Sequence, residues 1–263
     1  MDSFIKLSNF AKIVPYWEMF RDGLAVTVLL SVCTVVIGFV LALILALMRM
    51  SNFCPFRFLS LDKDGHLRNG DGFLMALSRF NPLSFLATAY VEILRSTPVL
   101  VQILIIYHGV FGILFDLPSV TLFGFIKFDR FFPGVVALGM NSGAYLCEII
   151  RSGLQSVDGG QTEAARSLGL NATQTMRFII LPQAIKNILP AIANEFVVII
   201  KESAITYTIG VQDIMSAVNA VKGATFIIME PLLVATAIYF CLCFPTSKII
   251  AYFERRMSRG SKR

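Results

Sequence analysis

The sequence predicts an all-α polytopic membrane protein with five transmembrane helices, its N-terminus outside and its C-terminus in the cytoplasm. Three observations carry that expectation. Of the 263 residues, 56% are hydrophobic and only 15% charged, with a mean hydropathy of +0.72, well above the apolar share of soluble domains. Long uncharged runs recur along the chain, and Lys and Arg alternate between rich and poor in the segments that join them.

Gly23 to Met48 is uncharged over more than the roughly 20 residues that cross a bilayer core. It is too long for a signal-peptide core and follows a mixed-charge tail, so it is expected to be retained. Further spans are expected at Phe85 to Leu114, Phe131 to Ile150, Leu189 to Ile209 and Ala224 to Phe244. Spans one and five carry almost no polar residues and are expected to pack facing lipid. The segment after span one holds Arg49, Arg57, Lys63, Arg68 and Arg79, and the tail after span five holds Lys248, Arg255, Arg256, Arg259, Lys262 and Arg263. The segments that would lie outside are poorer in basic residues, so these two, and with them the connection after span three that holds Arg151, Arg166, Arg177 and Lys186, are placed in the cytoplasm.

A net charge of +6 does not indicate nucleic acid, because the basic residues sit beside apolar runs and in the C-terminal tail, with no basic, aromatic-interleaved module. The five cysteines lack a C-x-x-C pair, and His66 and His108 lack partners at ligand spacing; no metal site is expected.

One polar stretch, Asp158 to Pro190, interrupts the apolar chain. Asp158, with Gln161 three residues on, marks a helix start, and Gly169 follows "QTEAARSL" where a left-handed cap wants a residue without a Cβ. Asn171 and Gln174 repeat the capping signature, opening a second helix expected to end or kink at Pro182. A third piece, Gln183 to Pro190, leads into span four. An amphipathic connector lying on headgroups is one reading. Ala164, Ala165 and Leu168 instead make a small, shallow face suited to another protein's groove.

"EAARSLGLNATQTMRFIILP", Glu163 to Pro182, resembles the cytoplasmic loop of ABC importer permeases: E-A-A, three residues, G, nine residues, I, any residue, L-P. Glu163, Ala164, Ala165, Gly169, Ile179, Leu181 and Pro182 meet that pattern. "AYVEILRSTPVLVQ" (Ala89 to Gln102), "NSGAYLCEIIRSGLQSV" (Asn141 to Val157) and "LPQAIKNILPAIANEFVVIIKESAI" (Leu181 to Ile205) are similar to the bacterial polar amino-acid branch, the histidine, glutamine and arginine permeases. The resemblance implies a type I ABC importer permease fold over residues 1–263, in the bacterial plasma membrane, with a coupling region at 158–186. It implies as partners two ABC ATPase subunits, a second permease, identical or homologous, an extracytoplasmic amino-acid-binding protein and an amino-acid substrate. It assigns ATPase coupling to Glu163, Ala164, Ala165, Leu168, Gly169 and Pro182. No G-x-x-x-x-G-K-[ST] loop occurs, so ATP and Mg are expected in the partner ATPase, with no cofactor in this chain and no enzyme activity of its own. The loop at residues 52–73, with Asp62, Asp64 and three turn signals, is longer than the family pattern and reads as a solvated insertion.

Polar residues at membrane depth mark a path or a site by default. Asn141, Tyr145 and Glu148 share one helical face of span three. Glu148 either faces that path or pairs with Arg151 at i, i+3. Glu92 and Arg95 are read as a structural ion pair just before Thr97-Pro98, and Gln102, one turn past that break, as a substrate contact. Asn194 and Glu202 in span four complete the candidate substrate path, with Lys201 able to neutralise its neighbour. A stand-alone ion-coupled secondary transporter is the alternative, but no convincing internal repeat supports it.

Overall fold

The computed structural model describes residues 6–51, 53–55, 78–115 and 117–259. Most of the predicted insertion, residues 56–73, lies outside them. A short helix α1 (Leu7–Ile13) and one 3-10 turn lead into α2 (Trp17–Met50). Helix α3 (Pro82–Ser96) breaks at Thr97-Pro98 into α4 (Val99–Leu104), which continues as a π-helical segment, Ile105–Phe111. A two-stranded antiparallel hairpin, β1 (Thr121–Leu122) and β2 (Ile126–Lys127), precedes α5 (Phe128–Gln155). Two short helices, α6 (Gly159–Ser167) and α7 (Ala172–Thr175), connect through a π-helical segment, Met176–Ile180, to α8 (Leu181–Glu202). A 3-10 stretch, Ser203–Ile209, then α9 (Ile214–Thr225) and α10 (Met229–Arg259), complete the order.

Helices cover each of the five predicted stretches, with three differences. By length and apolar composition two of them suffice to cross a membrane, at Ser8–Met50 and Met229–Met257. The pair Pro82–Ser96 and Val99–Phe111 would make a third, bent by 111° at the break. The fifth stretch begins at Met229 rather than Ala224, because Phe226 takes a left-handed conformation (φ 57°) that ends α9 and separates the two helices. Pro182 does not end the helix it was expected to end. The chain runs helically from Ala172 to Glu202, since the π turn lets the Leu181 N–H bond the Met176 carbonyl and places Pro182 in the first turn of α8, where a missing N–H is tolerated.

Span one also departs from its expected lipid-facing role. One side of α2 is apolar and exposed, at Val32, Val36, Val40, Leu43 and Leu47. The other side buries Thr27, Ser31, Thr34, Gly38 and Ala42 at spacings of three and four, mostly against α5. Small residues let the two backbones close up. A Cβ on Gly38 would lie 3.0 Å from Ser142 Oγ, one on Gly139 3.1 Å from Ile37 Cγ2, and one on Gly143 2.9 Å from Leu41 Cδ2. Helix α10 keeps the expected character, with Leu233, Phe240, Phe244 and Phe253 exposed.

At the other end of α2, Gly23 meets the linker before α9. A Cβ there would lie 2.7 Å from the Asp213 carbonyl oxygen and 2.9 Å from the Ile214 nitrogen, so only glycine permits this approach to backbone. Gly23→Val is expected to destabilise the protein by about 1–3 kcal/mol through overpacking. Gly223→Ala, with nothing within 4 Å of the added Cβ, is expected to be neutral or stabilising. Equal melting temperatures for Gly23→Val and the parent in detergent would show that the linker does not seat on α2.

Asp213, in that linker and outside the predicted spans, is 1% exposed. Its Oδ1 accepts the Ser216 N–H at 2.8 Å and caps α9, whereas its buried Oδ2 has no hydrogen-bond partner among the described residues. Burial pushes the carboxyl up from 3.8 to about 7. The folded state therefore holds its proton to higher pH than the unfolded chain, and this group's contribution to stability falls as pH rises from 3.8 to about 7, then levels. Asparagine keeps the cap acceptor and does not ionise. Asp213→Asn is expected to melt above the parent beyond pH 7, with the gap closing as pH falls towards 4; a gap constant with pH would contradict burial of an ionising carboxyl.

Candidate functional site

Two groups of residues stand out, a capped connector at one end of α5 and a polar face along α5 and the broken helix. The connector is built by local chemistry. Asp158 Oδ1 accepts the Gly160 N–H at 2.7 Å and starts α6. The Gln161 side chain lies instead beside Gln183, whose Nε2 is 3.4 Å from its Oε1. At the other end, the Gly169 N–H bonds the Arg166 carbonyl at 3.0 Å and the Leu170 N–H bonds the Ala165 carbonyl at 3.1 Å. This is a Schellman closure, and it needs the left-handed φ of 86° that Gly169 adopts. The second cap forms as its sequence signature requires: Asn171 Oδ1 accepts the Gln174 N–H, and Gln174 Oε1 accepts the Asn171 N–H, both at 2.9 Å.

The face formed by Ala164, Ala165 and Leu168 is divided. Ala165 is 4% exposed and turned inward, whereas Leu168 is 84% exposed, and Glu163, Ala164 and Pro182 are also at the surface. The connector is anchored to both neighbouring helices. Asn187 Nδ2 of α8 donates to Ser156 Oγ at the end of α5, 2.8 Å away, and Gln183 Nε2 donates to the Ile179 carbonyl at 2.9 Å. Beneath them Ile188 fills the space over Gly153, where a Cβ would sit 2.2 Å from its Cγ1.

Along the polar face, Gln102 and Asn141 come together, both buried. Asn141 Nδ2 donates to Gln102 Oε1 at 2.9 Å. Gln102 Nε2 lies within 3.0 Å of the Leu94 carbonyl, the Thr97 carbonyl and Thr97 Oγ1. The two amides therefore brace the helix break, where Pro98 supplies no N–H. Tyr145, 38% exposed, is not joined to them; the Arg95 guanidinium lies 5.5 Å from its ring centroid. Glu92 and Arg95 form no ion pair with each other, and none joins Lys201 to Glu202, among the described residues. Asn194 is exposed and Glu202 half-buried on α8.

Glu148 takes two partners. Arg151 Nε lies 3.0 Å from each of its oxygens and Arg151 Nη2 also bonds Oε1, while Arg49 Nη1 reaches Oε2 at 2.9 Å from the last turn of α2. Arg151 Nη1 continues to Gln155 Oε1 at 2.6 Å. Arg49 escaped sequence reasoning because its partner is 99 residues away and its only local signal, a basic residue ending a span, fits any cytoplasmic boundary. Glu230 escaped for the same reason: it is 3% exposed and accepts the Lys6 N–H at 3.0 Å and Asn9 Nδ2 at 2.8 Å, tying the N-terminal segment to α10.

Residues 70–259 match the model of the family described as "Binding-protein-dependent transport system inner membrane component". The chain belongs to this family. It is accordingly an inner membrane component of a binding-protein-dependent transport system, seated in the bacterial plasma membrane. The arginine transport system permease protein ArtQ of Bacillus subtilis (strain 168) is 35% identical over 249 residues, covering 95% of this chain and 97% of that protein. A solved structure described as an amino acid ABC transporter with histidines aligns with a TM-score of 0.76 at 39% identity, over 94% of this chain and 98% of that one. An inward-facing MetNI methionine ABC transporter shares the fold, with a TM-score of 0.64 at 15% identity over 92% and 98% of the two chains. The helical inner-membrane-component fold is thus the type I importer permease fold.

In this transport component the brace at the helix break is open to a direct test. Gln102→Leu removes the donor to the Leu94 and Thr97 oxygens and the acceptor of the buried Asn141 amide, which costs about 1–3 kcal/mol. The variant is expected to melt lower than the parent in detergent, and an unchanged melting temperature would show that the break does not depend on this amide.

Proposed function

We propose that the chain is the membrane-spanning permease subunit of an ATP-driven importer of polar amino acids. The connector at 158–186 receives the movement of a cytoplasmic ATPase. The relatives' names support the substrate class: one is an arginine permease protein and one an amino acid transporter. Two ATPase subunits holding ATP and Mg, a second permease and an extracytoplasmic binding protein complete the proposed complex. Five spans, with the N-terminus outside, put the connector and Arg49 on the cytoplasmic side, as the basic residues of the sequence favour. This chain carries no hydrolysis of its own in that arrangement.

The observation that carries the reading is the anchored, glycine-ended helix. Leu168 and Ala164 present a small apolar surface, Glu163 adds a charge for a basic partner, and Gly169 fixes the corner. Ala165 is turned inward, and Gln183 and Asn187 of α8 reach Gln161 and Ser156, so a push on the exposed side is passed to α8 and the end of α5 together. The proposed substrate path follows the face of Tyr145, Asn194 and Glu202, with Gln102 and Asn141 as the braces behind it and Glu148 at its cytoplasmic end.

Gly169→Val forces a β-branched residue into a left-handed conformation and removes the corner. In the complex reconstituted with its ATPase and binding protein, amino-acid uptake is expected to fall at least tenfold, about 1.4 kcal/mol or more in coupling, with membrane insertion unchanged. Uptake equal to that of the parent would dismiss the docking role. Uptake by this chain in liposomes without an ATPase would dismiss the importer reading itself.

A further inference from the structure

Beside the Glu148 cluster, a cavity of 190 Å³ opens between the end of α2 and the last turns of α5. Ala46, Met50 and Leu154 form apolar walls, and Arg49, Arg151 and Gln155 form its polar rim. Two guanidiniums share the carboxylate of Glu148, and Glu92 acts on Arg151 from further away without an ion pair to it. Of Arg49's three nitrogens, Nη1 is committed to Glu148, and a guanidinium offers five N–H donors in all. From the cavity mouth an exposed apolar stripe runs up α2 through Met50, Leu47 and Leu43, which are 51%, 70% and 42% exposed and spaced for one helical face.

A cation at the rim, apolar walls and an apolar track leading away suit a molecule with an anionic phosphate at one end and a hydrocarbon chain at the other. We propose that this cavity seats the phosphate headgroup of an anionic phospholipid of the cytoplasmic leaflet, with Arg49 and Arg151 binding the phosphate and an acyl chain lying along Leu47 and Leu43. The inference rests on the topology proposed above, which places the end of α2 at the cytoplasmic headgroup level. Basic pockets between helices at that level take anionic headgroups. An inorganic phosphate would use the rim but leave the walls and the stripe unmatched. Because Arg49 holds both the headgroup and Glu148, bound lipid also fixes the junction of α2 with α5.

The test is native mass spectrometry of the assembled transporter, with phosphatidylglycerol or phosphatidylcholine supplied in equal amounts. Retention of phosphatidylglycerol is expected to exceed that of phosphatidylcholine about fivefold, the worth of one cation at an anionic surface. Arg49→Gln is expected to abolish the preference. Leu154→Trp keeps both guanidiniums and Glu148, fills the cavity, and is expected to lower retention without touching the ion pairs. Equal retention of the two lipids by the parent, or a preference undiminished in both variants, overturns the proposal. Displacement of the lipid by millimolar inorganic phosphate, with Leu154→Trp behaving as the parent, also overturns it in favour of a free-anion site. Uptake is measured on the same preparations: active uptake without lipid preference rejects the lipid site alone, and lipid preference without uptake rejects the transport reading alone.

Discussion

The close crossing of α2 and α5 is the contact on which the rest of the structure depends. In a bilayer the surrounding lipid is as apolar as the side chains, so burial alone gives helices little reason to associate and tight packing has to supply it. Gly38, Gly139 and Gly143 give that tightness: each leaves a gap filled by a side chain or backbone of the facing helix. With α2 laid against it, α5 becomes the buried shaft of the molecule. It carries Asn141 to the broken helix, Glu148 to Arg49, and Gly153 to Ile188 of α8. One helix thus touches α2, both halves of the broken helix and α8.

The short polar connector is closed at each turn by local hydrogen bonds. A flexible loop would absorb displacement in its backbone dihedrals. Here both helix starts are closed by side-chain caps, the corner is closed by a Schellman pair, and the connector runs without an unwound residue from Ala172 into α8. The π-helical segment at Met176–Ile180 accommodates the proline that would otherwise interrupt this run. Asn187 and Ser156 then join α8 to the foot of α5, whose Asn141 reaches Gln102 at the braced break at Thr97-Pro98.

Local signals in the sequence were legible to the extent that their physics is local. The Asn171 and Gln174 box and the Gly169 corner depend on residues within six positions of each other, and both form as read. The long apolar runs at α2 and α10 were equally plain. Pro182 does not end its helix, because a proline's cost depends on which carbonyl it leaves unpaired, and the π turn before it changes that register. Phe226 hides its helix break because a left-handed phenylalanine carries no sequence signature. The Arg151 partner of Glu148 was legible at i, i+3, but its second partner Arg49 and the partners of Asn141 and Glu230 lie 99, 39 and more than 220 residues away, beyond any periodicity argument. The buried side of α2 was missed for a subtler reason: serine, threonine and glycine in an apolar run look like dilution of the span until a second helix is laid on them.

The charges at the junction of α2 and α5 follow from the same geometry. A half-buried carboxylate at Glu148 alone would be costly, and Arg151 on the next turn is enough to neutralise it. Arg49 is therefore not needed for charge balance. What it adds is direction: its Nη1 reaches across from α2 and fixes the ends of two helices whose middles are already held by glycine packing. Small-residue packing resists sliding, since a shift of one helix past the other drives Leu41 or Ser142 into backbone. It resists splaying of the ends far less. A charge-assisted hydrogen bond at the end supplies that restraint, and unlike interdigitated side chains it can be released and remade without unfolding either helix.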